Sequence, residues 1–178
     1  MRRRVGRVLP AVVTAAAAVV ACSQTVTGTA QRQDATADPD RSYGYVDDSC
    51  GLLDDSAVQG LLGADEVTRP YSGAVCQYVL MRGPEPMLID VTFSWFESGA
   101  LPRERALAEE RGGTVTETVV ERRPAFVVRR DVTGAACSAT AAAGTGVLSW
   151  WVQYRGRDSG EPCAEAEKLL AATLRSDM

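Results

Sequence analysis

The sequence predicts an α+β domain: a largely antiparallel sheet of about six strands with helices packed on one face, held by two disulfides. Three observations carry this. First, MLIDVTFSWF (87–96) alternates strictly, with Ile89, Val91, Phe93 and Trp95 on one side and Asp90, Thr92 and Ser94 on the other. Period two of this kind marks a half-buried strand. Second, the segments that read as strands are mostly joined by hairpin-length connections, which fit antiparallel pairing. Third, four cysteines, Cys50, Cys76, Cys137 and Cys163, remain once Cys22 is set aside, an even number in an exported chain.

Each element follows in order along a domain expected over residues 47–178. LLDDSAVQGLLG (52–63) reads as a short amphipathic helix. Asp54 or Asp55 caps it, Val58, Leu61 and Leu62 face inward, and Gly63 stops it. AVCQYVLMR (74–82) and the alternating strand meet through GPEP, a turn-forming sequence. LPRERALAEERGG (101–113) opens with Pro102, suited to a first helical turn, and closes on Gly112-Gly113. TVTETVVE and PAFVVRRD form a hairpin expected to turn through Arg122-Arg123, and CSATAAAG and VLSWWVQYR form another around Gly144 and Gly146. EPCAEAEKLLAATLRS (161–176) is the last helix, with Leu169, Leu170, Thr173 and Leu174 as its inward stripe and Cys163 in its first turn.

Ahead of the domain lie two segments that are not expected to fold with it. Residues 1–21 fit a secretory signal: Arg2, Arg3, Arg4 and Arg7, then the apolar run VLPAVVTAAAAVV (8–20). As a helix that run spans about 20 Å, short of the roughly 30 Å of a bilayer core, so it does not read as a permanent span. Val19-Val20-Ala21-Cys22 has the pattern of a bacterial lipobox. Cys22 is therefore expected to be diacylated and to become the mature N-terminus, placing the protein on the outer face of the cytoplasmic membrane. Residues 22–46 are polar and rich in Thr, Gln, Asp and Gly, a lipidated start followed by a flexible tether.

Composition excludes more chemistry than it offers. The 178 residues contain no His and no Asn, and a single lysine, Lys168, accompanies 18 arginines. Without His, the usual Ser-His-Asp or Cys-His nucleophiles and imidazole-ligated metals are ruled out. The net charge of −4 falls to −8 once the four arginines of the first 21 residues are removed. That sign opposes phosphate backbones, so no nucleic acid is expected. No cofactor, metal site or catalytic residue is expected, and the protein reads as non-enzymatic.

The four domain cysteines allow three connectivities. Cys50 to Cys76 and Cys137 to Cys163 are both separations of 26, so pairing neighbours would close two similar loops. Each would contribute roughly 3.5 kcal/mol in the chain-entropy account of disulfides. No CxxC pair supports a Cys₄ metal site.

Candidate contact residues are aromatic. In a strand, Trp150 and Trp151 point to opposite faces, so one enters the core. The other, with Tyr154 and Trp95, is a candidate for stacking on a sugar ring or an acyl chain or for anchoring a partner; a helix covering the second face would instead bury both. Arg103, Arg105, Arg122, Arg123, Arg129 and Arg130 could gather into an anion-binding patch, although solvated pairs with Glu104, Glu109, Glu110 and Glu121 explain them as well. Asp90 and Glu97 are the acids near the aromatic strand, but odd spacing sets them on opposite faces, which does not suit a glycosidase pair. Asp47-Asp48 and Asp54-Asp55 lack the glycine-centred loop of a calcium site.

The stretches GAVCQYV (73–79), MLIDVTFSWFESGALPRERALAE (87–109), TGAACSATAAAGTGVLSWWVQY (133–154) and PCAEAEKLLAATL (162–174), with CSQTVTGTA (22–30), resemble the LprC/LprB-like family of mycobacterial-type, actinobacterial lipoproteins. The domain of that family is of unknown function. The sequence departs from the pattern at Ala106, where a lysine is expected, and in a tether more acidic than the Gly-rich versions. The resemblance implies an envelope lipoprotein with two disulfides and brings no catalytic residue with it. The expected function is thus a membrane-anchored lipoprotein that binds a partner protein or an apolar or glycolipid ligand. The alternative is a structural or accessory subunit of an envelope complex, and a carboxylate-based hydrolase ranks last.

Overall fold

The computed structural model describes residues 41–85, 87–130, 135–156 and 160–176. The signal, the lipobox with Cys22 and most of the tether lie outside these residues. Nine strands and three helices follow in the order β1 (Tyr45–Val46), β2 (Ser49–Cys50), α1 (Asp55–Leu62), β3 (Glu66–Tyr71), β4 (Val75–Arg82), β5 (Met87–Phe96), α2 (Leu101–Glu110), β6 (Thr114–Val120), β7 (Arg123–Arg129), β8 (Ala136–Ala143), β9 (Gly146–Tyr154) and α3 (Pro162–Arg175).

Seven strands form one sheet in the order β3-β4-β5-β9-β8-β7-β6, and every neighbouring pair is antiparallel. The α+β class and the antiparallel sheet are as expected. The strand missing from the sequence reading is β3, EVTRPY, whose residues are mostly exposed. It sits at the sheet edge, where Pro70 costs no ladder hydrogen bond and little apolar pattern is needed. The β6–β7 turn falls at Glu121-Arg122 rather than Arg122-Arg123, because both residues take the left-handed conformation (φ 49° and 64°) that a two-residue hairpin loop requires.

The sheet is asymmetric. On one face Leu80, Ile89, Val91, Phe93, Leu148, Trp150, Val152 and Tyr154 are buried beneath α1 and α3. Trp150 lies 4.9 Å from Phe93 and 6.2 Å from Tyr78, and its indole N–H donates to Thr173 Oγ1 at 3.0 Å. The helix stripe Leu169, Leu170, Thr173 and Leu174 is buried there as its period predicts. On the other face α2 packs Leu101 against Phe126, Val128 and Val147 in a separate small cluster. So α1 and α3 share one face, and α2 lies across the opposite one. The low hydropathy of LPRERALAEE leaves it an apolar stripe too thin for the main core.

The disulfides are Cys50–Cys76 and Cys137–Cys163. The first ties β2 to β4, and the second ties the first turn of α3 to β8. The expected tether runs to residue 46, but Tyr43 is fully buried, 5.1 Å from Trp95, and Tyr45–Val46 pairs with Ser49–Cys50. Residues 41–46 therefore belong to the domain; Tyr43 is a lone aromatic that a composition-based boundary overlooks.

Asp54 is the N-cap of α1, accepting from Ala57 N at 2.7 Å, and Gly63 closes the helix at φ 60°. The Ala57 N–H, then the Ser56 side chain, hold the Asp54 carboxyl below its usual range. Folding stability linked to this group is present above the ordinary aspartate range and is lost as pH falls through the depressed value. Asp54→Ala is expected to cost about 1 kcal/mol at neutral pH, read as a lower urea midpoint, with the difference shrinking in acid. An unchanged difference at low pH would contradict the capping assignment.

Candidate functional site

Because α2 crosses only the β6–β8 side of its face, the rest of that face forms one wall of a groove. Residues 104, 107, 108 and 111 recur at helical spacing, so Glu104, Leu107 and Ala108 of α2 and its C-cap residue Arg111 present one stripe to it. The floor is built by strand register. Ser94 of β5 pairs with Ser149 of β9, and Ser149 with Thr140 of β8. Ser138 pairs with Trp151 one step further along. Four hydroxyls from three adjacent strands therefore line the floor, with Trp151 beside them and Phe96, Phe126, Val128 and Val147 supplying apolar surface. The groove holds about 240 Å³. Thr140 and Ser149 hydrogen bond to each other at 2.8 Å, which fixes the middle of the floor.

The structure separates the candidate aromatics. Trp151 is half-buried and lines the groove. Trp150 and Tyr154 are fully buried under α3, and Trp95 is buried against Tyr43. These three are core residues and cannot contact a ligand at the surface. Strand alternation explains the result: Trp95, Trp150 and Tyr154 all fall on the helix-covered face, and only Trp151 falls on the other.

The candidate arginines do not gather either. Arg105 pairs with Glu109 at 3.3 Å and with Glu117, and Arg129 approaches Glu161 at 3.7 Å. Arg130, on the strand face opposite to Arg129, lines the groove with Arg111. Asp90 is held by a bidentate Arg155, both contacts 2.7 Å. Among the described residues no group of three or more Cys, Asp or Glu side chains is placed to hold a metal ion.

Two charged clusters lie away from the groove and brace the fold. Arg69, its side chain 8% exposed, pairs with Asp48 and with Asp55 at 3.2 Å, and lies 5.3 Å from the centre of the Tyr45 ring. Arg82 pairs with Glu165 at 2.9 Å, donates to Leu62 O and reaches Tyr154 Oη at 3.5 Å, joining β4 to the ends of α1 and α3. Burial pushes the Tyr154 phenol up to about 12, reinforced by Glu165, and burial pushes Tyr78 to about 12 as well. A tyrosine whose folded value exceeds its unfolded value of about 10 keeps its proton longer when folded. Stability is therefore expected to fall as pH rises from about 10 towards 12, with the unfolded state losing protons first. Absorbance titration at the phenolate band checks this: Tyr78 and Tyr154 should ionise only together with loss of structure.

Trp151 and Arg130, both named as candidates from the sequence, line the groove, whereas the Ser/Thr floor and the α2 stripe were not named. The signal for the floor was present as small polar residues alternating with core positions in β5, β8 and β9. A polar outer face carries that same pattern, and only α2 crossing it makes a groove. Chemically the groove offers an aromatic flank, hydroxyls for polar ring substituents, a carboxylate and two guanidiniums.

A family described as a protein of unknown function, DUF3558, matches residues 17–176 of the chain. No curated protein matches it, and no solved structure matches it. Among the described residues no helix is long and apolar enough to cross a membrane.

Proposed function

Starting from the fact that the chain belongs to the DUF3558 family, whose description assigns no activity, we propose a membrane-anchored cell-envelope lipoprotein that binds a ligand without transforming it. The ligand is apolar or glycolipid in character and occupies the groove between α2 and Trp151. The chain's architecture and address are those of an LprC/LprB-like actinobacterial lipoprotein, the resemblance that the stretches from GAVCQYV (73–79) to PCAEAEKLLAATL (162–174) carry. The observation that carries the ligand reading is Trp151, a large amphipathic side chain left half-buried in a groove with a hydroxyl floor. A concave site with a few convergent polar groups is the usual form of a small-molecule site. The lipobox pattern at Cys22 and two disulfides suited to an oxidising compartment support the address.

Trp151→Ala is expected to leave the fold intact, because Trp151 belongs to neither buried cluster, and to remove co-purifying ligand. Native mass spectrometry of protein extracted from its own membranes reads this. Protein that carries neither lipid nor glycan in its wild-type form would sink the reading. Cys22→Ala is expected to move the protein from the membrane to the aqueous fraction, and retention on the membrane would refute acylation at that position.

An accessory-subunit reading has one observation in its favour. Among the described residues the edge strand β6 pairs on one side alone, and it carries Val119 at 68% exposure, the kind of surface a partner strand could extend. Crosslinks from β6 to an envelope protein, with an empty groove, would favour it over the ligand reading.

A further inference from the structure

We infer that the groove takes a phosphorylated headgroup, one sugar-type ring bearing a phosphate ester; this rests on reading the groove as a ligand site and names the ligand's chemistry. The groove is polarised along the strands. Register places Phe96 and Val147 at one end, Ser94, Ser149 and Thr140 next, then Trp151 and Ser138, and Arg130 beyond them. From the level of Phe96 to that of Asp90, beside Arg130's end, is about 20 Å at about 3.4 Å per residue. α2 runs the same way, so Glu104 faces the apolar half and Arg111, two turns later, the far end.

Arg111 and Arg130 stand out among the arginines. Arg69, Arg82, Arg105, Arg129, Arg155 and Arg175 each pair with a carboxylate. Arg111 and Arg130 make no ion pair with any described residue, and both line the groove. A guanidinium matches phosphate oxygens in a planar fork, and two of them at one end neutralise a phosphate's charge. The carbonyl end of α2 lies at the same place and would oppose an anion. Three of its last four carbonyls are already satisfied, Leu107 O, Ala108 O and Glu109 O accepting from the N–H groups of Arg111, Gly113 and Gly112.

The rest of the groove suits a ring. Trp151 offers a flat face, Ser94 and Ser138 offer hydroxyls, and Glu104 accepts from a ring hydroxyl at the other end. The volume of about 240 Å³ lies just under the roughly 300–1,000 Å³ typical of drug-sized ligands. One ring with its phosphate fits that space; the acyl chains of a lipid would remain outside it, past Phe96. A free sugar phosphate and a phosphoinositol lipid share this chemistry, and the experiment separates them.

The full chain in neutral detergent is titrated with glucose 1-phosphate, glucose and inorganic phosphate, followed by tryptophan fluorescence and calorimetry. A second arm measures flotation with phosphatidylcholine vesicles, with and without phosphatidylinositol. Expected is binding of glucose 1-phosphate or of phosphatidylinositol vesicles, weakened at least tenfold by Arg111→Gln/Arg130→Gln. Arg103→Gln, on the same helix outside the groove, should leave it unchanged, with circular dichroism reporting an intact fold. Binding of glucose 1-phosphate alone identifies a free sugar phosphate as the ligand, and binding of the vesicles alone a lipid headgroup. Glucose binding as tightly as its phosphate, or binding indifferent to the double variant, overturns the phosphate assignment and leaves the groove reading standing. Failure of every probe, with apolar lipid still co-purifying and lost in Trp151→Ala, also overturns the phosphate alone. Failure of every probe with no co-purifying ligand overturns both.

Discussion

Trp150→Ala is expected to destabilise the domain by about 3–5 kcal/mol, the usual range for removing a large buried aromatic. Trp150 is fully buried between Phe93 and Tyr78, and Thr173 accepts its indole N–H at 3.0 Å. The substitution opens a cavity at the junction of the sheet and α3 and leaves the buried Thr173 hydroxyl without that partner. Trp150→Phe isolates the second effect: it keeps most of the volume and should cost about 1–3 kcal/mol for the orphaned group. Since whole domains are stable by about 5–15 kcal/mol, the alanine variant should show a large drop in urea midpoint. A loss below 1 kcal/mol would mean that this packing does not hold the helix to the sheet. The neighbouring Trp151→Ala should cost far less stability and all the ligand, so the two halves of one dipeptide should separate fold from function.

Removing the Cys137–Cys163 bridge as Cys137→Ala/Cys163→Ala is expected to cost about 3–4 kcal/mol, from the loop-entropy value for its 26-residue separation. The bridge joins the first turn of α3 to β8, and α3 buries Ala166, Leu169, Leu170, Thr173 and Leu174 on the sheet. Without it the helix is held by packing, by the Trp150–Thr173 hydrogen bond and by the Arg82–Glu165 ion pair. Hydrogen exchange should then rise across α3 before it rises in β5 and β9. Uniform exchange across the domain would show instead that α3 and the sheet open as one unit. The Cys50–Cys76 bridge closes an equal separation, so the entropy account predicts a similar equilibrium cost from its removal. The local effect should differ, because it pins a two-residue strand and leaves α3 in place.

Much of the fold was legible where a period was strong. The alternation in β5, the caps Asp54 and Gly63 and the stripe of α3 each report a local rule that the tertiary structure obeys. β3 was not legible, since an exposed edge strand with a proline needs no apolar pattern. Tyr43 was not legible because a single aromatic in a polar stretch has no period at all. Of the candidate site, Trp151 and Arg130 were visible as residue types. Their separation from Trp150 and Arg129 required knowing which face α3 covers.

The amino-acid sequence by itself determined the α+β class, the antiparallel hairpins, the even cysteine set and the absence of histidine chemistry, because periodicity and composition act locally or by exclusion. Only the tertiary structure decided the disulfide pairing, the placement of α2 opposite α3 and the groove this leaves beside Trp151. The reason is physical. A strand's alternation says that two faces differ, but the partner that buries each face lies far along the chain, and a groove exists only where a helix covers part of one.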